Sequence, residues 1–197
     1  MVSESIGEIL ESSTTEYVVG CHQLFQAPAF GSLLRARTRE PERWVYGLVY
    51  NVVTGSEPPG GSAVVLGRGE VRDERIYEEH PELQEMMRTR LSALVVGFSQ
   101  GEELHQYLPP QPPPLHYSVY PCDDAQVVAF TQQMGYIRTV LAAKTLPADE
   151  LLAASIRLAS AAGGESTDFR LRAGREMARL LTEDYDRLAA ILRRIRP

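Results

Sequence analysis

The sequence predicts an α+β protein: a small closed N-terminal β-barrel over residues 1–122, followed by a helical C-terminal region over residues 123–197 that ends in a long helix. Three observations predict it. Up to residue 53, short stretches rich in Val, Ile and Tyr are separated by Gly, Pro and Ser-Thr clusters, the pattern of strands joined by turns. From residue 123 the apolar residues recur at helical spacing instead. Between the two regimes stands a proline strap, Leu108–Leu115, of sequence LPPQPPPL.

Ile6–Glu11 reads as the first strand, Ser12–Thr15 as a turn, and Glu16–Cys21 as the second strand. Pro28 and Gly31 break the chain before a third strand, Ser32–Arg37, because proline fixes φ and glycine allows a tight reversal. The strongest strand runs from Trp44 to Val53. With a period of two, one face carries Trp44, Tyr46, Leu48, Tyr50 and Val52, and the other Val45, Gly47, Val49, Asn51 and Val53. In a narrow barrel the smaller set fills the interior and Gly47 marks a bend, which leaves the aromatic set outside and in need of cover by local helices or by a partner. Thr54–Gly61 is a Gly- and Pro-rich excursion, followed by a short strand near Val64–Leu66.

Pro81, preceded by acidic residues, predicts a helix start. Leu83, Met87, Leu91, Leu94, Val95 and Phe98 at helical spacing favour its continuation to Phe98 over a buried strand from Leu91. The strap is expected to be polyproline II, a rigid tie from the barrel to a last strand, His116–Tyr120. Asp123 or Asp124 caps a helix to about Gln133, Gly135 punctuates, and Tyr136–Lys144 follows. A further helix opens at Leu146 and ends before Gly163-Gly164. Ser166-Thr167-Asp168 then caps a helix over 169–195, with Met177, Leu180, Leu181, Leu188, Ile191, Leu192 and Ile195 on one stripe. At 1.5 Å per residue it would be about 40 Å long, which suggests either packing across its own small domain or pairing with another helix.

Ile6-Gly7-Glu8-Ile9, the Ser13–Glu16 turn, the Gly31 reversal, Val45–Val49 and the strap before Val119-Tyr120 occur in the order found in the HAS-barrel, and the first 120 or so residues resemble that domain. It is the N-terminal barrel of HerA-type DNA-translocating ATPases and of rotary ATP synthase headpiece subunits. The resemblance implies an assembly and coupling module that holds ATPase subunits together and carries no catalytic group. The helical residues after the strap then stand where such proteins have their motor.

The 197 residues carry a net charge of −6, with net −7 on residues 1–122 and net +1 on the remainder. An acidic surface repels phosphate, which argues against duplex DNA as a direct partner of the barrel. The barrel's clustered bases, Arg35, Arg37, Arg39 and Arg43, are interleaved with Glu40 and Glu42. The chain's single lysine, Lys144, follows Leu141-Ala142-Ala143, so no P-loop is present and nucleotide binding is not expected. Cys21-His22, His116 and Cys122 match no zinc spacing, and no cofactor or metal is expected. Cys21 and Cys122 are expected to be reduced thiols, since the N-terminus has neither the basic nor the apolar region of a secretion signal and no window approaches a membrane span. A soluble cytoplasmic protein is the expectation.

Paired carboxylates such as Glu78-Glu79 and Asp149-Glu150 adjoin helix starts, where acids are structurally favoured. No Gly-x-Ser-x-Gly elbow occurs, and no enzyme activity is expected. The sequence therefore predicts a non-catalytic interaction module that binds a protein partner or itself. Its candidate interface is Trp44, Tyr46, Leu48 and Tyr50 on the barrel, and Met177, Leu181, Leu188 and Leu192 on the last helix. The alternative is a small nucleic-acid-binding barrel, which requires an exposed aromatic-basic surface.

Overall fold

A computed structural model describes residues 4–56, 65–67, 72–164 and 167–195. Strands β1 (Gly7–Ser12), β2 (Glu16–Cys21), β3 (Leu33–Arg37), β4 (Arg43–Ser56), β5 (Met87–Gln100), β6 (Glu103–His105) and β7 (Ser118–Pro121) form one antiparallel sheet. Six of them close into a ring, β1–β2–β5–β4–β3–β7, because β5 pairs with both β4 and β2 and β7 pairs with both β1 and β3. β6 extends the edge of β5 beyond β2, pairing Phe98 with His105.

The ring encloses Ile9, Tyr17, Val19, Leu34, Ala36, Val45, Val49, Leu91, Ala93, Val95 and Val119, all at most 1% exposed. Burying a side chain of this kind contributes about 1.5–3 kcal/mol, so the interior is a packed core and not a ligand chamber. Tyr17 is the largest member, and it fits because Gly47 faces it: a Cβ at Gly47 would lie 2.7 Å from the Tyr17 hydroxyl. Two bulges bend the β4–β5 ribbon around the ring, with Tyr50 skipped on β4 and Val96 skipped on β5. The bulge at Tyr50 also explains why the two-residue alternation of β4 does not continue, since Val52 and Val53 are both exposed.

The helix expected from Pro81 to Phe98 is corrected to two short helices, α1 (Glu74–Glu79) and α2 (Leu83–Met86), followed by β5. Leu91, Ala93 and Val95 point into the ring while Leu94 and Val96 pack under the helices outside. A segment buried on both faces shows no clean amphipathic period, and its chance helical spacing misleads. Val64 and most of the Thr54–Gly61 excursion lie outside the described residues, and Val65–Gly67 form no strand.

Outside the ring come α3 (Asp124–Thr131), α4 (Gly135–Ala142), α5 (Ala148–Ala162), α6 (Thr167–Leu180) and α7 (Tyr185–Ile195). Asp123 caps α3 in a capping box with Gln126. α5 is the hub: Leu151–Ile156 are all buried, and the other four helices and β4 pack around it. It meets the barrel at Gly31, where φ is +90° and an added Cβ would stand 2.7 Å from Ala154 Cβ. The single helix over 169–195 is corrected to α6 and α7, broken at Leu181–Asp184. Asp184 accepts from Arg187 N at 3.1 Å and opens α7. Both halves of the stripe therefore turn onto α5, and with no 40 Å helix the segment packs across its own helical region. Asp149 and Glu150 in the first turn of α5 pair with Arg187 and Arg194 of α7. Among the described residues, no helix is long and apolar enough to cross a membrane.

Gly47→Val should push against the Tyr17 ring and lower stability by about 1–3 kcal/mol. Gly55→Val, on the same strand with nothing within 4 Å of its Cβ, should change it by no more than about 0.5 kcal/mol. Urea unfolding of the two variants checks the pair.

Candidate interaction surface

The β3–β4 hairpin sets the register of the candidate site. Arg37 pairs with Trp44, Arg35 with Tyr46 and Leu33 with Leu48, and on the other side Arg35 pairs with Tyr120 of β7. Side chains opposite each other across an antiparallel pair share a face, so arginines two residues apart on β3 lie beside aromatic residues of β4 and β7. Both guanidinium groups stack on the indole, with Cζ 4.4 Å (Arg35) and 4.8 Å (Arg37) from the ring centroid. Tyr120 meets the same indole edge-on at 6.0 Å. Arg37 is exposed, and Trp44, Arg35 and Tyr120 are half-buried.

Among the described residues, neither Arg35 nor Arg37 has a carboxylate within salt-bridge distance. Arg35 Nε is also buried without a hydrogen-bond acceptor. Glu40, the nearest acid in the connecting turn, is engaged by Arg43, whose Nε donates to Gln100 Oε1 at 2.8 Å. The four bases clustered in the sequence thus separate. Arg43 faces Phe98 and Gln100, Arg39 is exposed in the turn, and Arg35 and Arg37 remain as two uncompensated cations on an indole.

The eight residues expected to form an interface do not share one accessible face. Tyr46 and Leu48 are covered by the chain's own helices, Tyr46 at 5.1 Å from the Phe130 ring. Met177, Leu181 and Leu188 are buried in the core around α5, and Leu192 lies at its exposed margin. Tyr50 is half-buried and donates to Glu16 Oε2 at 2.7 Å. Trp44, half-buried at the edge of the core, is approached by the two arginines and Tyr120. Sequence reasoning singled out Trp44 but not Arg35, Arg37 or Tyr120 as its companions. The signal lay in the turn: pairing Arg37 with Trp44 across a short polar loop brings the i, i+2 arginines onto the indole.

The remaining reactive groups are dispersed. Cys21 points into the barrel, His22 is exposed, and His116 Nδ1 lies 3.3 Å from Glu8. Among the described residues, no three His, Cys, Asp or Glu side chains converge as metal ligands would. Both cysteines are free thiols. Burial pushes the Cys122 thiol up to about 12, against the opposing pull of Arg35 and with a further push from Asp123, and burial raises Cys21 as well. Thiols held neutral in this way are poor nucleophiles. Comparison with known protein families and with curated proteins gives no match for this chain.

Iodoacetamide at pH 8 should leave both cysteines of the folded protein largely unmodified and label both after unfolding in guanidinium. Rapid labelling of the folded chain, read by mass spectrometry, would contradict the burial described.

Proposed function

We propose that this chain is a non-catalytic protein-interaction module, with a barrel of HAS-barrel type that docks on acidic surfaces of other subunits, either further copies of itself or a separate HerA-like ATPase. The observation that carries this reading is the pair of guanidinium groups stacked on Trp44 without a carboxylate partner. Trp, Tyr and Arg are the residues in which binding energy concentrates at protein interfaces, and Tyr120 completes the set here. The barrel half as a whole, at net charge −7, repels anions, and only the local pair of cations favours an acidic partner surface at this spot. The chain itself carries such a surface, since Glu74, Glu78, Glu79, Glu82 and Glu85 on and around α1 and α2 are exposed. A contact between unlike patches of two copies would be head-to-tail.

Light scattering should show an oligomer whose mass falls with dilution, or a pull-down with the native protein should recover a separate ATPase. Arg37→Glu, at an exposed position, should weaken the association at least tenfold without lowering the unfolding midpoint. A strict monomer at high concentration that captures no partner would overturn the proposal. Asp at Leu181 or Leu188 would be uninformative here, since both side chains belong to the chain's own core.

The same cluster favours a second reading, single-stranded nucleic acid stacked on Trp44 with its phosphates near Arg35 and Arg37. Trp44 is the only tryptophan, so intrinsic fluorescence reports on this face directly. Under the second reading, a short single-stranded oligonucleotide quenches Trp44 at low salt and is released as salt rises. Under the first, it leaves the emission unchanged.

A further inference from the structure

We infer that the cleft between the turn after β2 and helix α1 is a binding site for a quaternary ammonium group. Leu24, Phe25 and Tyr77 supply its apolar walls, and its volume is about 520 Å³. The rest of the lining is polar: His22, the amides of Gln23, Gln26 and Gln84, and the carboxylate of Glu74.

Phe25 is held in a conformation that its own burial does not offset. It stands third in the Gln23–Gln26 turn at φ +63°, in the left-handed region that a turn normally gives to glycine. A bulky residue stays there only when its surroundings hold it. The hold comes from the barrel: Phe25 N donates at 2.8 Å to Oγ1 of Thr89, a residue 1% exposed whose hydroxyl also meets that of Thr54 at 2.9 Å. The ring itself is 56% exposed, so little apolar burial is gained in return. What the turn achieves is placement. The centroid of the Phe25 ring lies 5.3 Å from that of the half-buried Tyr77 with the two planes at 82°, so the rings form two walls of a corner in the cleft.

Electrostatics select the charge of the ligand. An aromatic face attracts a cation, and quaternary ammonium ions are the cations that rings bind most readily. Glu74 is the one carboxylate in the lining and no Lys or Arg joins it. Among the described residues, the Glu74 carboxylate has no hydrogen bond or ion pair. Arg88, at the adjoining end of β5, is turned onto the backbone, with Nη1 donating to Gln84 O, Glu85 O and Met87 O. A primary ammonium group would lose strongly held water against the two rings without gaining acceptors from them. Methyl groups instead spread the charge over a surface that packs on the rings and needs no hydrogen bond. Size is no obstacle, since a cavity of about 150 Å³ already holds a benzene ring.

The test uses the full chain with choline and with 3,3-dimethylbutan-1-ol, which has the same shape without the charge. At millimolar ligand the choline N-methyl protons should shift upfield in the proton NMR spectrum, through the ring currents of Phe25 and Tyr77. The neutral alcohol should bind about three- to tenfold more weakly. Phe25→Leu keeps an apolar side chain at an exposed position and should leave the unfolding midpoint close to that of the parent. It should remove most of the upfield shift and weaken choline about three- to fivefold. Glu74→Gln should weaken choline about two- to fivefold at low salt and leave the alcohol unaffected. A peptide bearing trimethyllysine, titrated beside choline, identifies the carrier: tighter binding of the peptide assigns the group to a modified protein, and tighter binding of choline to a small molecule. Absence of any choline shift, equal affinity for choline and the alcohol, or a parental shift in Phe25→Leu would overturn the inference.

Discussion

A strand with apolar side chains on both faces has to hide both, and in this protein β4 and β5 share that requirement. Their inner residues, Val45, Val49, Leu91, Ala93 and Val95, are covered when β5 pairs with β2 and the sheet closes on itself. Their outer residues, Tyr46, Leu48, Leu94 and Val96, then face away from the ring and need a second layer, which the helices provide. The two halves of the chain are therefore not independent in energetic terms. Without the helices the outer faces of β4 and β5 would be a solvent-exposed apolar patch, and without the barrel α5 would lose one of the surfaces it buries against. A single amide reinforces the link: Gln106, just past β6, donates to Phe130 O at 2.7 Å and accepts from Tyr136 N at 2.9 Å, holding the end of α3 and the start of α4 to the barrel rim.

The same two-sidedness governs how much of the fold is legible in the sequence. β1 to β4 are bounded by glycine, proline and hydroxyl-rich turns, and these local signals place β1 to β3 to within a residue and β4 to within three. β5 has no such punctuation at its start, and its apolar residues satisfy a helical period as well as an extended one; only its pairing with β2 and β4 decides. The break between α6 and α7 is obscured for a different reason. Leu181 and Leu188 are seven residues apart and both face α5, so the period identifies the buried side of the segment but says nothing about whether its axis is straight. The local sign is Asp184, a capping residue inside the apparent helix. The candidate site is only half legible: Trp44 stands out in the sequence, but Tyr120, which meets it edge-on, comes from β7 and is brought there only by the pairing of β3 with β7.

The outer edge of the helical layer can be traced to three residues of β3. Leu33, Arg35 and Arg37 all point outward, opposite Leu48, Tyr46 and Trp44 in turn. The Leu33–Leu48 pair is apolar on both strands and lies under the helices. At the next step an arginine replaces the leucine: Tyr46 is still covered by Phe130, while Arg35 is left half-buried with its Nε unpaired. One step further the Arg37–Trp44 pair reaches solvent. Extending the helical cover over this last pair would strip water from two cations that have no carboxylate to compensate them, a cost of several kcal/mol for each buried ion. Cross-strand pairing thus fixes where the chain's own cover stops.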